Sequence, residues 1–303
     1  MGNSTATDRS SLVLFDRVAQ TRALLTCPVA PAQTADCASA SSPAPGPTTN
    51  QRWTRAAPWL HRSLVAPAAS PLVVLGIAGM AVVMALAFAA LLARAGPVDE
   101  PRGARLRRMV LALGGAAVWM AVSAALALAG TLRRFDARPP PLALLMFAVV
   151  AGSIALGLSR VGRRVAEHVP LALLVGVQAF RLPLELVMHR AAAEGVMPQE
   201  LTFGAGLNWD IATGSTAVVV ALLAGAGKAP RRIVLAWNVM GFVMLAIIAA
   251  IAIGTAPFVR AFGDDPRHVN TWVAYFPYVW LPAVLVFFAL FGHVVIARRL
   301  RRG

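Results

Sequence analysis

Long apolar runs constrain this chain more than any other feature. They are Leu72–Ala93, Met109–Leu132, Pro141–Leu158, Val169–His189, Trp209–Ala226, Ile233–Gly254 and Trp272–Ala297. About 20 apolar residues cross the hydrocarbon core of a bilayer as a helix. Lipid satisfies no backbone N–H or C=O, so each run must close its hydrogen bonds internally. Only 14% of the residues are charged, where a soluble protein has about a quarter. The expectation is all-α: a polytopic membrane helix bundle of about seven transmembrane helices over residues 69–303, in contact with the lipid bilayer. A reading with six spans needs the first or third run not to cross.

Residues 1–68 differ in kind. They are rich in Ala, Ser, Thr and Pro and include SSPAPGPTTN just before Gln51. Such a segment buries too little apolar surface to offset its ordering entropy. A disordered N-terminal tail is expected, with a short helix over 11–25. Arg17 and Arg22 interrupt any signal-peptide core, and Ala6 stands where a myristoylation motif needs Ser or Thr. A translation start placed too far upstream would produce the same kind of tail. Both cysteines, Cys27 and Cys37, lie here. They offer no zinc-binding spacing.

The formal net charge is +15. Nucleic-acid binders gather basic residues on one face, whereas these arginines sit between the apolar runs, so no nucleic-acid partner is expected. Their placement reads instead as topology. One set of run ends carries Arg94, Arg102, Arg105, Arg107 and Arg108, then Arg160, Arg163 and Arg164, then Lys228, Arg231 and Arg232, then Arg298, Arg299, Arg301 and Arg302. The opposite ends carry Arg133, Arg134, Arg138, Arg190, Arg260 and Arg267. The richer side is expected to be cytoplasmic, with the N-terminus outside and the C-terminus in. A vocabulary heavy in Ala, Arg and Pro with one lysine suggests a bacterial inner membrane. Trp272, Tyr275, Tyr278 and Trp280 are expected to anchor the last span at the membrane interface.

The fourth run is the polar one. Its segment VQAFRLPLELVMHR holds Gln178, Arg181, Glu185 and His189. On an α-helix these sit at about 0°, 300°, 340° and 20°, one stripe roughly 80° wide. Arg181 and Glu185 are four apart and can pair. An unpaired charge at mid-bilayer costs at least about 3 kcal/mol, so the stripe must face the bundle interior or a wet cavity. Pro183 removes a helix hydrogen bond and frees the carbonyl of Ala179, and transporters place such interruptions at binding sites. Asn208, Asp210, Thr213 and Ser215 open the next run and share the depth of Glu185 and His189. The connection between the runs reads as a simple loop. Asn238, in the sixth run, reads as a helix–helix hydrogen bond.

Other chemistries find little support. Lys228 lies in a basic loop, so no span carries a Schiff-base lysine. There is no P-loop, G-x-S-x-G or H-E-x-x-H. Glu185 and His189 with Asp210 fall short of a full metal-ligand set, and nothing makes His168 and His293 face one haem. No metal or cofactor is expected.

Gln178-Ala-Phe-Arg181-Leu-Pro183-Leu-Glu185, Asn208-Trp-Asp210-Ile, Ala236-Trp237-Asn238, Phe276-Pro277-Tyr-Val-Trp280-Leu-Pro282 and His293 together resemble a family of uncharacterised bacterial multi-pass membrane proteins, over about residues 169–297. The resemblance implies a helical inner-membrane protein without an assigned activity. The residues themselves point to transport or sensing of a small polar solute or proton. Gln178, Arg181, Glu185, His189, Asn208 and Asp210 are the candidate ligand-binding or proton-coupling residues. A membrane enzyme using Glu185, His189 and Asp210, and a scaffold whose charges only brace the fold, are the alternatives.

Overall fold

A computed structural model describes residues 66–204 and 206–302. The tail expected to be disordered, and both cysteines, lie almost wholly outside the described residues. Among those described, all regular structure is helical. The helices are α1 Pro71–Ala93, α2 Arg102–Leu128, α3 Pro141–Leu158, α4 Arg160–His168, α5 Leu171–Gly176, α6 Arg181–Ala193, α7 Ile211–Gly225, α8 Arg231–Gly254 and α9 Phe287–Leu300.

Six helical stretches are long and apolar enough to cross a membrane. They are α1, α2, α3, Leu171–Ala193, α8 and Leu281–Leu300. Leu171–Ala193 joins α5 to α6 through a 3-10 turn, Val177–Phe180, and Leu281–Leu300 joins a π-helical turn to α9. Arg160 does not continue α3. Ser159 is extended and its Oγ accepts from the N–H groups of Val161 and Gly162, so it caps the start of the short amphipathic α4.

The fifth expected span is the exception. Its helix, α7, has 15 residues, about 22 Å at 1.5 Å per residue, short of a hydrocarbon core of about 30 Å. The connection before it comprises the described residues 195–204 and 206–210. This connection is not the simple surface loop expected from sequence. Val196, Met197, Leu201, Thr202, Asn208 and Asp210 are all buried. The N–H of Leu207 donates to Glu200 O, and that of Asn208 to Thr202 O, both at 3.0 Å. Gly206 permits this closure, because a Cβ there would stand 2.3 Å from the carbonyl oxygens of Gln199 and Thr202. α7 thus starts beside Arg181 in the middle of the bundle. It runs along α5 to the arginine-rich end, where Gly225 meets Ala172.

Leu281–Leu300 is the axis of the bundle, with over half of its apolar window buried. α9 packs on α3, α4, α5 and α8, while α1 packs on α2, α6 and the π-helical turn. Arginines tie the axis to its neighbours at one end. Arg298 donates to the carbonyls of Gly157 and Leu158 at the end of α3, where the last carbonyls lack partners within the helix, and to that of Ser159, which also accepts the Arg163 N–H. Arg299 donates to Ala166 O and Val169 O, and Arg302 pairs with Glu167.

The aromatic group before this axis does not lie where the sequence suggested. Trp272, Tyr275 and Tyr278 are buried inside the protein. Trp272 packs on Tyr278 with ring centroids 5.0 Å apart, and the Arg133 guanidinium lies over the Tyr275 ring. Trp280 donates to Met120 O. These rings seal the end of the bundle by packing on protein, because the 3-10 turn Trp272–Ala274 folds them inward.

Candidate functional site

Arg181 is the eleventh of the 23 residues of Leu171–Ala193, at mid-helix. The 3-10 turn just before it has about three residues per turn, which brings Gln178 almost directly into line with Arg181. Pro183, lacking an N–H, cannot bond back to Ala179. The chain tightens at this point and then resumes as α6.

Arg181 Nη1 donates to Asp210 Oδ1 at 2.6 Å, with side-chain exposures of 1% and 9%. This corrects the sequence-based pairing, in which Glu185 was the partner. Glu185 Oε1 instead accepts from Asn208 Nδ2 at 2.7 Å. Asn208 is the organiser. Its Nδ2 also donates to Leu201 O at 3.2 Å, and its Oδ1 accepts the Asp210 N–H at 3.0 Å. One amide therefore positions both carboxylates. Asp210 sits at the N-terminus of α7, where aligned peptide dipoles favour negative charge.

Gly214 makes the approach possible. A Cβ there would lie 2.5 Å from Leu182 N and 3.0 Å from Arg181 C. The first turns of α6 and α7 therefore touch backbone to backbone, as small residues allow between membrane helices. Thr213, one residue earlier, is fully buried with an unpartnered Oγ1. Arg181 Nε and Nη2 and Glu185 Oε2 are buried without partners too.

Gln178 extends the polar region toward α9. Its Nε2 donates to Ala289 O at 3.3 Å, and its Oε1 has no partner. Gly292 gives it room, since a Cβ there would stand 1.9 Å from Nε2. Beside it lies His293, fully buried, whose Nδ1 is 2.8 Å from Asn238 Oδ1. Asn238 Nδ2 donates to His293 O at 3.3 Å, so Asn238 makes the interhelical bond expected of it. Gly241 makes space for the imidazole, because a Cβ would meet its Cε1 at 2.1 Å.

Of the six candidates, the structure brings together Arg181, Glu185, Asn208 and Asp210, with Gln178 one turn before Arg181 and bonded to α9 instead. His189 stands apart: it is exposed and stacks on Phe203 with centroids 4.9 Å apart. Eight residues of α-helix turn it about 80° from Arg181, onto a face the bundle does not cover. Ser215, also expected near the site, is exposed and bonds within α7 to Ile211 O. His168 is exposed, far in character from the enclosed His293. Among the described residues no group of three His, Cys, Asp or Glu side chains gathers as metal ligands do. Sequence reading missed the service of Gly214, Gly241 and Gly292. The available signal was a small residue on a span facing a polar side chain.

Comparison with protein-family models, with curated proteins and with solved structures finds no match. The helical apolar bundle is compatible with an integral membrane protein, and the geometry above is what bears on its activity.

Proposed function

We propose that this integral membrane protein binds and releases a proton at Glu185, coupled to passage or sensing of a small polar solute. The observation that carries the reading is a charge count. One guanidinium, Arg181, is enclosed with two carboxylates, Asp210 and Glu185, in mostly apolar surroundings. Fully ionised, the cluster holds one excess negative charge, which is costly away from water. Asp210 takes the guanidinium, leaving Glu185 to take the compensating proton or a small cation. Its unpartnered Oε2 is the atom that would hold it. Arg181 either fixes Asp210 or receives an anionic group of the solute, while Gln178 and Asn208 orient the ligand. The side chains are covered in this conformation, so solute entry requires a movement of their surroundings, for which Leu201 and Asn208, bonded to one another beside Glu185, are the candidates.

The resemblance to uncharacterised bacterial multi-pass proteins belongs to the same proposal. So does placement in a bacterial inner membrane with the arginine-rich end cytoplasmic and the N-terminus outside.

Infrared difference spectra of the full chain in lipid, taken across a pH titration, are expected to contain a protonated-carboxyl band that Glu185→Gln removes. A spectrum in which Glu185→Gln removes no titrating band overturns the proton reading. The bracing alternative also has a specific observation in its favour, because the Arg181–Asp210 pair bolts α6 to the start of α7. If the bolt is the whole role, Arg181→Leu with Asp210→Leu restores accumulation of the protein, and proton flux into vesicles stays unchanged. Under the proposal that double variant loses the flux.

A further inference from the structure

A second feature lies apart from the polar cluster. Between α1, α2, α3 and α9 there is a cleft of about 650 Å3, within the range of roughly 300–1,000 Å3 typical of small-molecule sites. Small residues make it. Ala112, Gly115 and Ala116 of α2 and Ala148 and Gly152 of α3 line its sides, and α2 and α3 make little direct contact. A Cβ on Gly115 would meet nothing within 4 Å. Phe287 and Phe288 form the back wall, and the Trp119 ring lines the cleft while its Nε1 donates to Ala283 O at 2.7 Å.

The lining offers almost no hydrogen-bonding group, so water would be poorly held. A hydrocarbon chain would gain dispersion contacts along the whole cleft. Charge marks one end only. Arg108 and Arg164 both line the cleft at the arginine-rich end of the bundle. Arg108 is occupied: its Nε donates to Leu92 O at 3.1 Å, and its Nη groups reach Ala93 O and Glu100. Arg164 is exposed and, among the described residues, forms no ion pair. Arg160 and Arg163 stand beside it on α4. The Glu100 carboxylate feels the Arg164 charge but is held by Arg108. An apolar trough ending at an exposed guanidinium complements a molecule with an acyl chain and an anionic head.

We propose that this cleft is a binding site for an anionic membrane phospholipid, its chain between α2 and α3 and its phosphate at Arg164. This site is independent of the polar cluster. The stacked rings of Phe88 and Phe288, with centroids 4.7 Å apart, divide the two. Both rings also border a smaller space that reaches Gln178 and Gly292, so a chain in the cleft presses on a wall of the polar core.

The test uses the full chain in detergent with equimolar phosphatidylglycerol and phosphatidylcholine of matched chains, read by native mass spectrometry. Phosphatidylglycerol is expected to be retained over phosphatidylcholine by about fivefold for each basic side chain that reaches its head. Arg164→Glu is expected to abolish that preference, and Gly115→Leu to lower retention of either lipid by filling the trough. Equal retention of the two lipids, or a preference that survives Arg164→Glu, overturns the headgroup assignment. Unchanged retention in a folded Gly115→Leu protein overturns the placement of the chain. If Gly115→Leu fails to fold, Ala148→Leu, at an exposed position on the facing wall of the cleft, tests the placement of the chain in its stead.

Discussion

At the residue scale, Arg181 and Asn208 matter most. Arg181→Ala would leave Asp210 and Glu185 enclosed without a cation. Breaking a buried pair by removing one partner costs about 3–5 kcal/mol, and thermal unfolding in detergent is expected to register a loss of that size. Asn208→Ala would strip Glu185 of its donor and Asp210 N–H of its acceptor. Leaving such groups unsatisfied costs about 1–3 kcal/mol each, so Asn208→Ala, which breaks three bonds including one to a carboxylate, is expected to destabilise more than Asn238→Ala, which breaks two bonds to His293. Equal thermal shifts in the two variants would contradict that ranking. The polar stripe was legible in the sequence because Gln178, Arg181 and Glu185 lie on one short segment and periodicity is local. The partner of Arg181 was not. Glu185 is four residues away, whereas Asp210 arrives through a fold of residues 195–210 that depends on Gly206 and on the amide of Asn208. The service of Gly214 was equally hidden, since it depends on where another helix lies.

At the element scale, the ends of helices carry the testable weight. Arg298 holds three carbonyls at the end of α3. Hydrogen bonds from a charged donor contribute about 1.5–3 kcal/mol, part of which exposure to water takes back. Arg298→Ala is expected to lower the unfolding temperature, and Arg298→Lys, whose ammonium can donate to these carbonyls as the single nitrogen Nη1 does, to restore most of it. At the opposite end, Glu194 Oε2 accepts the Ser70 N–H at 2.8 Å and so ties the start of α1 to the end of α6. That bond, with Arg190 adding to it, holds the Glu194 carboxyl at about 2, below its ordinary 4.5. A depressed carboxylate stabilises the fold above its unfolded value and loses that contribution as pH falls through its folded value. The wild-type advantage over Glu194→Gln is therefore expected to be full above pH 4.5 and to fade toward pH 2. A difference that is flat across that window would contradict the assignment. The count of spans was nearly legible. α7 is shorter than its expected run because hydropathy registers Trp209 as part of the span, while the polar bonds of Asn208 and Asp210 delay the helix until Ile211, beside Arg181.

At the scale of the whole molecule, most of the basic residues between the runs lie at one end, and the contacts of Arg231 with Leu300 O and of Arg298 with α3 hold that end together. The orientation put forward above is checked by cysteine labelling in a chain whose own Cys27 and Cys37 are replaced by Ser. With an impermeant maleimide, Asp136→Cys is expected to react in intact cells and Arg301→Cys only after permeabilisation. The reverse pattern would invert the orientation. Helical class was readable throughout, because apolar run length alone imposes it. The buried aromatic plug was not, because Trp and Tyr near a span end satisfy a membrane interface and a protein interior equally well.

The central position of Leu281–Leu300 has a consequence for biosynthesis. Every other described helix leaves the ribosome before it, so the earlier spans must wait in the bilayer without their common core. Until α9 is inserted, Gln178 and Asn238 lack the carbonyls of Ala289 and His293 that they bond in the finished protein. Nascent chains arrested before Phe287 are therefore expected to be recognised as incomplete and degraded, with α9 as the keystone of assembly for the helices before it.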